Sequence, residues 1–401
     1  MTIRYALLCL SPDFSGLEIH VRDYALWLAK RHGVQLHLIL AADAHLNRAL
    51  SDHGLPILCL PPVHRHLPMS SARRVAQWLD LGGIDILHSH WSRDLPLAAI
   101  ARRCSRKKPK LIHSQHLLPS PRGRHDVYHR AIYGALDGFI TISHQMSGLA
   151  ALRLPVDANR IRTVHPGVAP SPQLAVGGER FTVGCVGRVT YEKGQHLLLE
   201  AALALRQRGI QIRVVLAGKP CDRGYHAELH AFAQRHALEF EDRGFVEPEQ
   251  AFAGMDAAVT CSTEEPFGLV TVEAMRRGIC VVTAASGGSL EIVRDQVDGL
   301  MFPPGDALAL AERLAQLVSD QRLRERLRVS ALQRAADHFD AQTQFEKLFA
   351  TALELAGLQA AAGAEPPMHE HPCDPVLPAA GAGQALDAPS ANTLQSAEDA
   401  A

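Results

Sequence analysis

Apolar strands alternate with amphipathic helices along most of the chain, and this pattern occurs twice. In the first half, residues 5–10 predict a strand, 17–31 a helix and 34–41 the next strand. In the second half, residues 181–186 predict a strand and 195–208 a helix. Helices between apolar strands are typical of parallel sheets with right-handed crossovers. The pattern therefore predicts two doubly wound α/β domains, with ligands bound beyond the carboxyl ends of the strands.

Changes in composition divide the chain into segments. Residues 169–179 are rich in Pro, Gly and Ser and are predicted to link a domain over 1–168 to a second domain over 180–340. Helical periodicity over 341–358 predicts a C-terminal helix that packs back toward the first domain. Residues 359–401 form a low-complexity tail rich in Ala, Pro and Gly, which is predicted to be disordered because it buries nothing obvious.

Length, charge and cysteine content narrow the class of protein. The 401 residues are 47% hydrophobic and 21% charged, typical of a globular protein with two cores. The formal net charge of −1 gives no reason to expect a nucleic-acid partner. No apolar run reaches the ~18 residues that span a bilayer, and the short run at the amino end predicts a strand, not a signal peptide. Eight scattered cysteines without a Cys-x-x-Cys pair favour reduced thiols, so we expect a cytoplasmic protein.

Two carboxylates in the second half flank the start of a predicted helix. Glu265 lies in a loop marked by Pro266 and Gly268, and Glu273 lies within a helix predicted over 269–277. The first amides of a helix have no intrahelical acceptors, so this position favours an anion such as phosphate. With 42 acidic residues, about four pairs at this spacing are expected by chance, so the surrounding residues must decide what the pair means.

Two glycine-bearing loops follow other strands of the second half. Gly187, Arg188, Lys193 and Gly194 place two cations between glycines, after one strand and before a helix. The glycines allow close backbone approach and the cations would neutralise a diphosphate, although a solvated surface loop is the alternative. A glycine turn at 286–289 also follows an apolar strand. Since parallel strands end at one edge of a sheet, these loops should open on one site.

A series of short motifs runs in a fixed order through the second half of the chain. The motifs are Gly187-Arg188, Lys193-Gly194, Glu265-Pro266-Phe267-Gly268-Leu269, Glu273-Ala274-Met275, Gly278, Ser286-Gly287-Gly288, Glu291-Ile292-Val293 and Gly299-Leu300 followed by 303–306. Taken in this order, they resemble the donor domain of glycosyltransferase family 4, whose members are retaining, nucleotide-sugar-dependent enzymes. The resemblance is dense over 181–306 and looser over 1–168. It implies the GT-B fold, in which two Rossmann-like domains face a central cleft, with the acceptor bound by 1–168 and the donor by 180–340.

The resemblance also implies a role for each matching residue. Glu265 would hold hydroxyls of the transferred sugar, and Glu273 would hold the ribose of the nucleotide. Arg188 and Lys193 would bind the diphosphate and stabilise the charge on the leaving group, with Gly187 close to the donor. Backbone amides at the helix start would add hydrogen-bond donors: Phe267, Gly268 and Leu269.

The first half matches the family less regularly. Ser15 stands where the family usually has the first of two glycines, which leaves Gly16 for backbone contact with the donor phosphate. Strands over 84–90 and 111–116 each end in a histidine, and His116 occupies the position of the family's active-site histidine. His90 would lie in the cleft near the acceptor, but packing histidines are the alternative for both. No third ligand stands at metal-binding spacing from these strands, so no metal site is predicted.

A run of basic residues over 102–110 leaves two interpretations open. A solvated helix end and loop is one interpretation, because exposed charge runs are common. The other is a patch for an anionic acceptor or a membrane surface, which would place the protein at the inner face of the cytoplasmic membrane.

The expected function is transfer of a sugar from a nucleoside-diphosphate sugar to a glycan or lipid-linked acceptor, with retention of anomeric configuration. No metal or other cofactor is expected, because cations and helix termini supply the positive charge. A role in cell-envelope polysaccharide or lipopolysaccharide synthesis fits such acceptors. A nucleotide-sugar epimerase, a sugar phosphorylase and a non-catalytic sugar-nucleotide-binding protein are the alternatives.

Overall fold

The computed structural model describes residues 2–13, 15–61, 68–171 and 180–359. The predicted linker over 169–179 and the tail over 359–401 therefore lie largely outside the described residues. Both sheets of the described chain belong to one compact unit.

The first sheet has seven parallel strands within the described residues. They are β1 (Ile3–Cys9), β2 (Val34–Ala41), β3 (Ile57–Leu60), β4 (Ile86–Ser89), β5 (Lys110–Gln115), β6 (Gly138–Thr141) and β7 (Ile161–Thr163). Their order is β3-β2-β1-β4-β5-β6-β7, so the chain changes direction across the sheet between β1 and β4. The loops after these two strands leave a crevice at the carboxyl edge, where ligands bind in doubly wound folds.

The second sheet has six parallel strands in the same described part of the chain. They are β8 (Thr182–Val186), β9 (Arg213–Ala217), β10 (Glu239–Asp242), β11 (Ala257–Thr260), β12 (Cys280–Ala284) and β13 (Leu300–Phe302). Their order is β10-β9-β8-β11-β12-β13, so the corresponding crevice lies between β8 and β11. Two doubly wound parallel sheets are the architecture that the strand and helix pattern predicts.

Helices cover both faces of the sheets. They are α1 (Gly16–Ala29), α2 (His45–Leu50), α3 (Met69–Gly82), α4 (Leu95–Cys104), α5 (Val127–Tyr133), α6 (His144–Arg153), α7 (Gln195–Gln207), α8 (Arg223–Arg235), α9 (Pro248–Ala251), α10 (Leu269–Arg276), α11 (Ser289–Ile292), α12 (Ala307–Ser319), α13 (Gln321–His338) and α14 (Ala341–Ala356). Single 3₁₀ turns lie at Ser51–His53, Ser92–Asp94, Ala158–Arg160 and Tyr191–Lys193. None of the helices in the described ranges is long and apolar enough to cross a membrane.

Aspartate side chains fix where the last helices begin. Asp306 accepts a hydrogen bond from the Ala309 amide at the start of α12, and Asp320 caps α13 in the same way. Asp340 accepts from the Thr343 amide and starts α14. Each cap satisfies one of the amides that a helix start leaves unpaired, a contribution of about 1 kcal/mol.

The last helix packs on the first sheet although it follows the second sheet in the chain. Phe345 and Phe349 of α14 are buried in the core that contains Tyr5 and Tyr24. The Tyr24 and Phe345 rings lie 5.5 Å apart, and the Tyr5 and Phe349 rings 5.9 Å apart. Burying each aromatic side chain contributes about 1.5–3 kcal/mol. Helix α14 therefore ties the C-terminal end of the described chain to the N-terminal domain.

The chain crosses between the two sheets at two adjacent places. The amide of Val168 donates to the carbonyl of Phe339 at 2.8 Å. Arg276 donates to the Val168 carbonyl and forms an ion pair with Asp340 at 2.7 Å. A side chain at Gly167 would approach the Ala341 Cα to 2.6 Å, so the two crossings pack backbone against backbone.

Candidate functional site

The candidate residues of the second half come together at the carboxyl edge of the second sheet. Lys193 follows β8 and Glu265 follows β11, and these two strands are neighbours. The Lys193 ammonium donates to Glu265 Oε2 at 2.7 Å. Glu265 is 9% exposed, so its carboxylate is held in a site from which most water is excluded. The structure thus pairs a cation and a carboxylate that are far apart in the sequence.

Close backbone packing fixes the loop that carries Glu265. The Gly288 amide donates to the Glu265 carbonyl at 2.8 Å. A side chain at Gly287 would lie 2.3 Å from that same carbonyl oxygen, and one at Gly288 would lie 2.4 Å from the Phe267 Cα. The glycine turn after β12 is therefore required for the loop after β11 to reach its position.

The start of α10 provides hydrogen-bond donors beside the ion pair. Gly268 precedes the helix with φ of +113°, a conformation that favours glycine. Among the described residues, the amides of Phe267, Gly268 and Leu269 have no hydrogen-bond acceptor. The side chain of Phe267 is buried and stacks on the His165 ring at 5.3 Å, so only its backbone faces the loop. Three amides at a helix start form a site suited to an anion.

The loop between β8 and α7 (residues 187–194), called the phosphate loop below, contains the other candidate cation. The Arg188 side chain is exposed, and its carbonyl accepts a hydrogen bond from the Gln195 side chain at 2.9 Å. Gly187 has φ of +131° and lies against Gly218, where a side chain would come within 1.8 Å of the Gly187 carbonyl oxygen. Arg188 is thus solvent-accessible, whereas Lys193 is held by Glu265.

Glu273 lies one turn or more beyond the start of α10 and faces a less polar environment. Burial raises the pKa of its carboxyl to about 7, with a smaller opposing effect of Arg277 and a further rise from Asp23 and Glu249. Asp23 belongs to α1, so Glu273 lies close to the N-terminal domain. Near neutral pH this carboxyl is therefore partly protonated.

The start of α1 meets the start of α10 across the two domains. A side chain built at Gly16 would lie 3.4 Å from Leu269 Cδ1. Glu18 accepts hydrogen bonds from the Ser15 amide at 2.7 Å and from its hydroxyl at 2.9 Å. Ser15 has φ of −142°, an extended conformation that requires no glycine. A serine therefore fits at this position without backbone strain, and Gly16 keeps the close approach to the second domain.

The two predicted histidines adjoin each other at the carboxyl edge of the first sheet. His90 follows β4 and His116 follows β5, and His90 Nδ1 lies 3.3 Å from His116 Nε2. Three more buried histidines surround them: His20, His88 and His113. Burial lowers the pKa of every one of these rings, to about 4 for His20 and His113. The cluster is therefore neutral at physiological pH, which suits hydrogen bonding rather than charge stabilisation.

A contact between the two domains, centred on Glu291, was not predicted from the sequence. Glu291 of α11 accepts hydrogen bonds from the His144 and Gln145 amides at the start of α6, at 2.9 and 3.0 Å. His165 Nε2 lies 2.8 Å from the same carboxylate. Burial alone would raise the pKa of Glu291, but these hydrogen bonds outweigh burial and hold the pKa below its ordinary value. Ser143 adds a hydrogen bond to the Pro266 carbonyl at 2.7 Å, next to the candidate site.

The basic run over 102–110 lies away from this site. Lys110 begins β5, whereas His116 follows its end, so the run occupies the opposite edge of the first sheet. Arg102 and Lys110 both pair with Asp137, at 3.0 and 3.3 Å. Arg103 donates to the Ala131 carbonyl. Part of the positive charge is therefore used within the fold, and the exposed remainder is Arg106, Lys107 and Lys108.

Comparison with known proteins identifies the family. A model described as Glycosyltransferase Family 4 matches residues 14–171, and a model described as Glycosyl transferases group 1 matches residues 171–334. A D-inositol 3-phosphate glycosyltransferase of Salinispora arenicola is 27% identical over 297 residues, covering 64% of this chain and 66% of that protein. The chain thus spans about two thirds of the length of that relative. D-inositol 3-phosphate glycosyltransferase 1 of Catenulispora acidiphila is 29% identical over 380 residues, covering 81% and 87%.

A solved structure shows the same fold. The structure of Anabaena Alr3699/HepE in complex with UDP and glucose has a TM-score of 0.76 and 23% sequence identity, and covers 87% of this chain and 99% of that one. The predicted GT-B architecture of two facing α/β domains is confirmed. The two family models adjoin at residue 171 and together extend over residues 14–334, and the chain belongs to the family 4 glycosyltransferases.

Proposed function

We propose that the protein transfers a sugar from a nucleoside-diphosphate sugar to an acceptor hydroxyl, with retention of anomeric configuration. The observation that carries this proposal is the Lys193–Glu265 pair, held at 2.7 Å beside the free amides of α10. A cation and helix amides suit a diphosphate, and a buried carboxylate suits sugar hydroxyls. The site therefore matches both chemical ends of a nucleotide sugar.

The cations act on the leaving group in this proposal. Lys193 and Arg188 bind the diphosphate, and the α10 amides donate to its oxygens. Negative charge grows on the departing phosphate as the glycosidic bond breaks, and donors already in position stabilise that charge. The reaction as proposed requires no metal, because the protein itself supplies the positive charge.

The carboxylates orient the donor. Glu265 accepts hydrogen bonds from hydroxyls of the transferred sugar, and Glu273 from the ribose. The acceptor attacks from the same face that the diphosphate leaves, and a phosphate oxygen takes the acceptor proton. No covalent enzyme intermediate forms, so neither glutamate acts as a nucleophile.

His90 sets the tautomer of His116. Within the described part of the chain, His90 Nε2 is buried without a hydrogen-bond partner. A buried N–H without an acceptor is rarer than an unpaired acceptor, so the His90 proton belongs on Nδ1, from which it donates to His116 Nε2. The His116 proton is then on Nδ1, and the ring offers a neutral donor to a sugar hydroxyl or to the acceptor.

A panel of nucleotide sugars tests the proposal. UDP-glucose is the first donor to test, because the related Anabaena structure holds UDP and glucose. Thermal unfolding identifies the donor, since a ligand that binds the native state raises the unfolding temperature. Nucleotide release that depends on acceptor, with a retained anomer by NMR, supports the proposal. Isomerisation without acceptor would instead indicate an epimerase, phosphate-dependent cleavage a phosphorylase, binding without turnover a sensor, and an inverted product would overturn the stereochemistry.

The acceptor is proposed to be a glycan or a lipid-linked sugar used in cell-envelope polysaccharide synthesis, with the enzyme in the cytoplasm. Two relatives are named for a phosphorylated inositol, so phosphorylated polyols belong in the acceptor screen. The exposed cations Arg106, Lys107 and Lys108 would contact anionic lipid at the inner face of the membrane. Charge reversal of these three residues should abolish sedimentation with phosphatidylglycerol vesicles while transfer to a water-soluble acceptor is unchanged.

A further inference from the structure

A cluster of three side chains of the kinds that bind metals lies at the edge of the second sheet. His226 and His230 stand on successive turns of α8, and Asp242 ends the edge strand β10. The Nε2 atoms of the two histidines are 3.3 Å apart. Asp242 Oδ2 lies 2.5 Å from His226 Nε2 and 3.0 Å from His230 Nε2. Three ligand atoms from two elements therefore converge on one point.

The geometry of this cluster fits a tetrahedral metal. Histidines at i and i+4 share one face of a helix, the spacing at which histidine pairs bind zinc. At metal–ligand distances of about 2.0–2.1 Å, tetrahedral ligand atoms are about 3.3 Å apart. The two imidazole nitrogens already have this separation, and Asp242 Oδ2 needs to move outward by only about 0.8 Å from His226. Three protein ligands leave the fourth position to water.

Hydrogen bonds and ring contacts hold the ligands in place. Asp242 Oδ1 accepts from the Gly244 amide at 2.9 Å, which leaves Oδ2 directed to the histidines. The His230 ring meets the Phe240 ring edge-on, with centroids 5.1 Å apart. Such outer contacts are what fix ligand orientation in metal sites.

The described residues contain one other trio of metal-type ligands, His144, His165 and Glu291, which is less suited to a metal. Both oxygens of Glu291 accept backbone amides at the start of α6. Coordination of a cation there would compete with the helix cap and with the contact between domains. Among the described residues, Asp242 Oδ2 instead contacts His226 and His230, the other two members of its own cluster, and caps no helix.

We propose that His226, His230 and Asp242 bind one Zn²⁺ ion at a site separate from the sugar-transfer site, where the ion ties α8 to the edge strand. The site also adjoins the backbone that supports the phosphate loop. The Gly218 amide donates to the Gly244 carbonyl at 2.6 Å. The proposal does not depend on the transfer reaction, so it stands or fails independently of the proposed function.

Cobalt and zinc titrations of the full chain test the site. The tail carries His369, His371 and Cys373, which are metal ligands in their own right, so every variant is made in a full-length background with these three replaced by alanine. Co²⁺ reports tetrahedral coordination through its visible absorption, and dialysis against Zn²⁺ followed by metal analysis gives stoichiometry. The test variant is His230→Ala, whose side chain is 46% exposed and safe to truncate. The matched control is His236→Ala, which changes a histidine at the end of the same helix.

The expected result is one equivalent of metal bound by the background protein and by His236→Ala. Affinity in His230→Ala and in Asp242→Asn should fall at least about tenfold, since even outer partners of metal ligands typically contribute that much. Zn²⁺ should raise the unfolding temperature of the background protein but not of His230→Ala. Absence of stoichiometric binding in the background protein, or equal binding by His230→Ala, would overturn the proposal.

Discussion

Replacing Glu265 with glutamine should separate the two halves of the proposed site. In the free protein, Glu265 neutralises Lys193 at 2.7 Å. Two unit charges at this distance attract by about 6 kcal/mol at an effective dielectric constant of 20, most of which offsets the loss of hydration. A hydrogen bond to a charged group contributes a net of about 1.5–3 kcal/mol. The diphosphate must compete with Glu265 for Lys193, and Glu265→Gln removes the competing charge.

Glu265→Gln should therefore bind the free nucleoside diphosphate as tightly as the native chain, or up to about tenfold more tightly. Its transfer rate should fall by about 10²–10³, the usual loss when one transition-state contact is removed. Calorimetry with the nucleoside diphosphate and initial rates with the donor measure the two effects. The amide still accepts from Lys193, so the free energy of unfolding should change by no more than about 1 kcal/mol.

Glu264→Gln is the matched control, because it removes the neighbouring exposed carboxylate. It should leave both nucleotide affinity and rate unchanged. The proposed role of Glu265 is refuted if Glu265→Gln transfers sugar at the native rate. It is also refuted if affinity for the nucleoside diphosphate falls in parallel with the rate, since Glu265 would then support the phosphate loop rather than hold the sugar.

Three further predictions concern stability. Gly218→Ala should lose at least about 3 kcal/mol of unfolding free energy, because the new side chain meets the Gly187 carbonyl oxygen at 1.8 Å. Gly209→Ala has open space around the new side chain at φ of +78° and should lose only about 1–2 kcal/mol; equal losses in denaturant titrations would contradict this. Burial lowers the pKa of His20 to about 4, so the contribution of the neutral ring to the free energy of unfolding is complete above pH 6.5 and disappears as pH falls toward 4. His20→Phe should reduce the slope of unfolding free energy against pH in this range by up to about 1.4 kcal/mol per pH unit; an unchanged slope would show that the ring titrates alike in the native and unfolded states. Glu291→Gln should lose about 1–3 kcal/mol and should be non-additive with His165→Ala in a double-mutant cycle, while strict additivity would mean that the two side chains do not interact in solution.

The sequence was sufficient for the two sheets because strand and loop signals are local. The apolar run and following glycine at Gly187 define a strand end without reference to any other part of the chain, and Gly268 marks the start of α10 in the same way. Parallel strands then place their following loops at one edge, which brings the loops of Lys193 and Glu265 to neighbouring strands. The proximity of these two loops was thus predictable from the order of the strands.

The contacts between side chains of the site were not predictable. They join residues that are far apart in the sequence, and a local sequence pattern gives no information on the distance between such residues. The ion pair joins residues 72 positions apart. The motifs of Lys193 and Glu265 indicate contacts with different parts of the ligand and give no sign that the two side chains meet. Glu291 shows the same limit across the domains, since its helix-capping role on His144 depends on how the domains pack. The i and i+4 spacing of His226 and His230 was visible, but the carboxylate that completes the trio comes from another element.

Charge in the free protein is arranged so that the cleft is close to neutral before a donor binds. Lys193 is matched by Glu265, and burial keeps the five histidines of the opposite domain uncharged. Burial also raises the pKa of Glu273 to about 7, which reduces its charge near neutral pH. Among the described candidate residues, Arg188 is exposed and the amides at the start of α10 have no acceptor, whereas Lys193 is paired. A diphosphate bound as proposed therefore draws Lys193 away from Glu265. Release of Glu265 then leaves a desolvated carboxylate that sugar hydroxyls can satisfy, and binding of the two ends of the donor becomes coupled.

A bare nucleoside diphosphate should consequently bind more weakly than its sugar conjugate to the native chain, and this difference should disappear in Glu265→Gln.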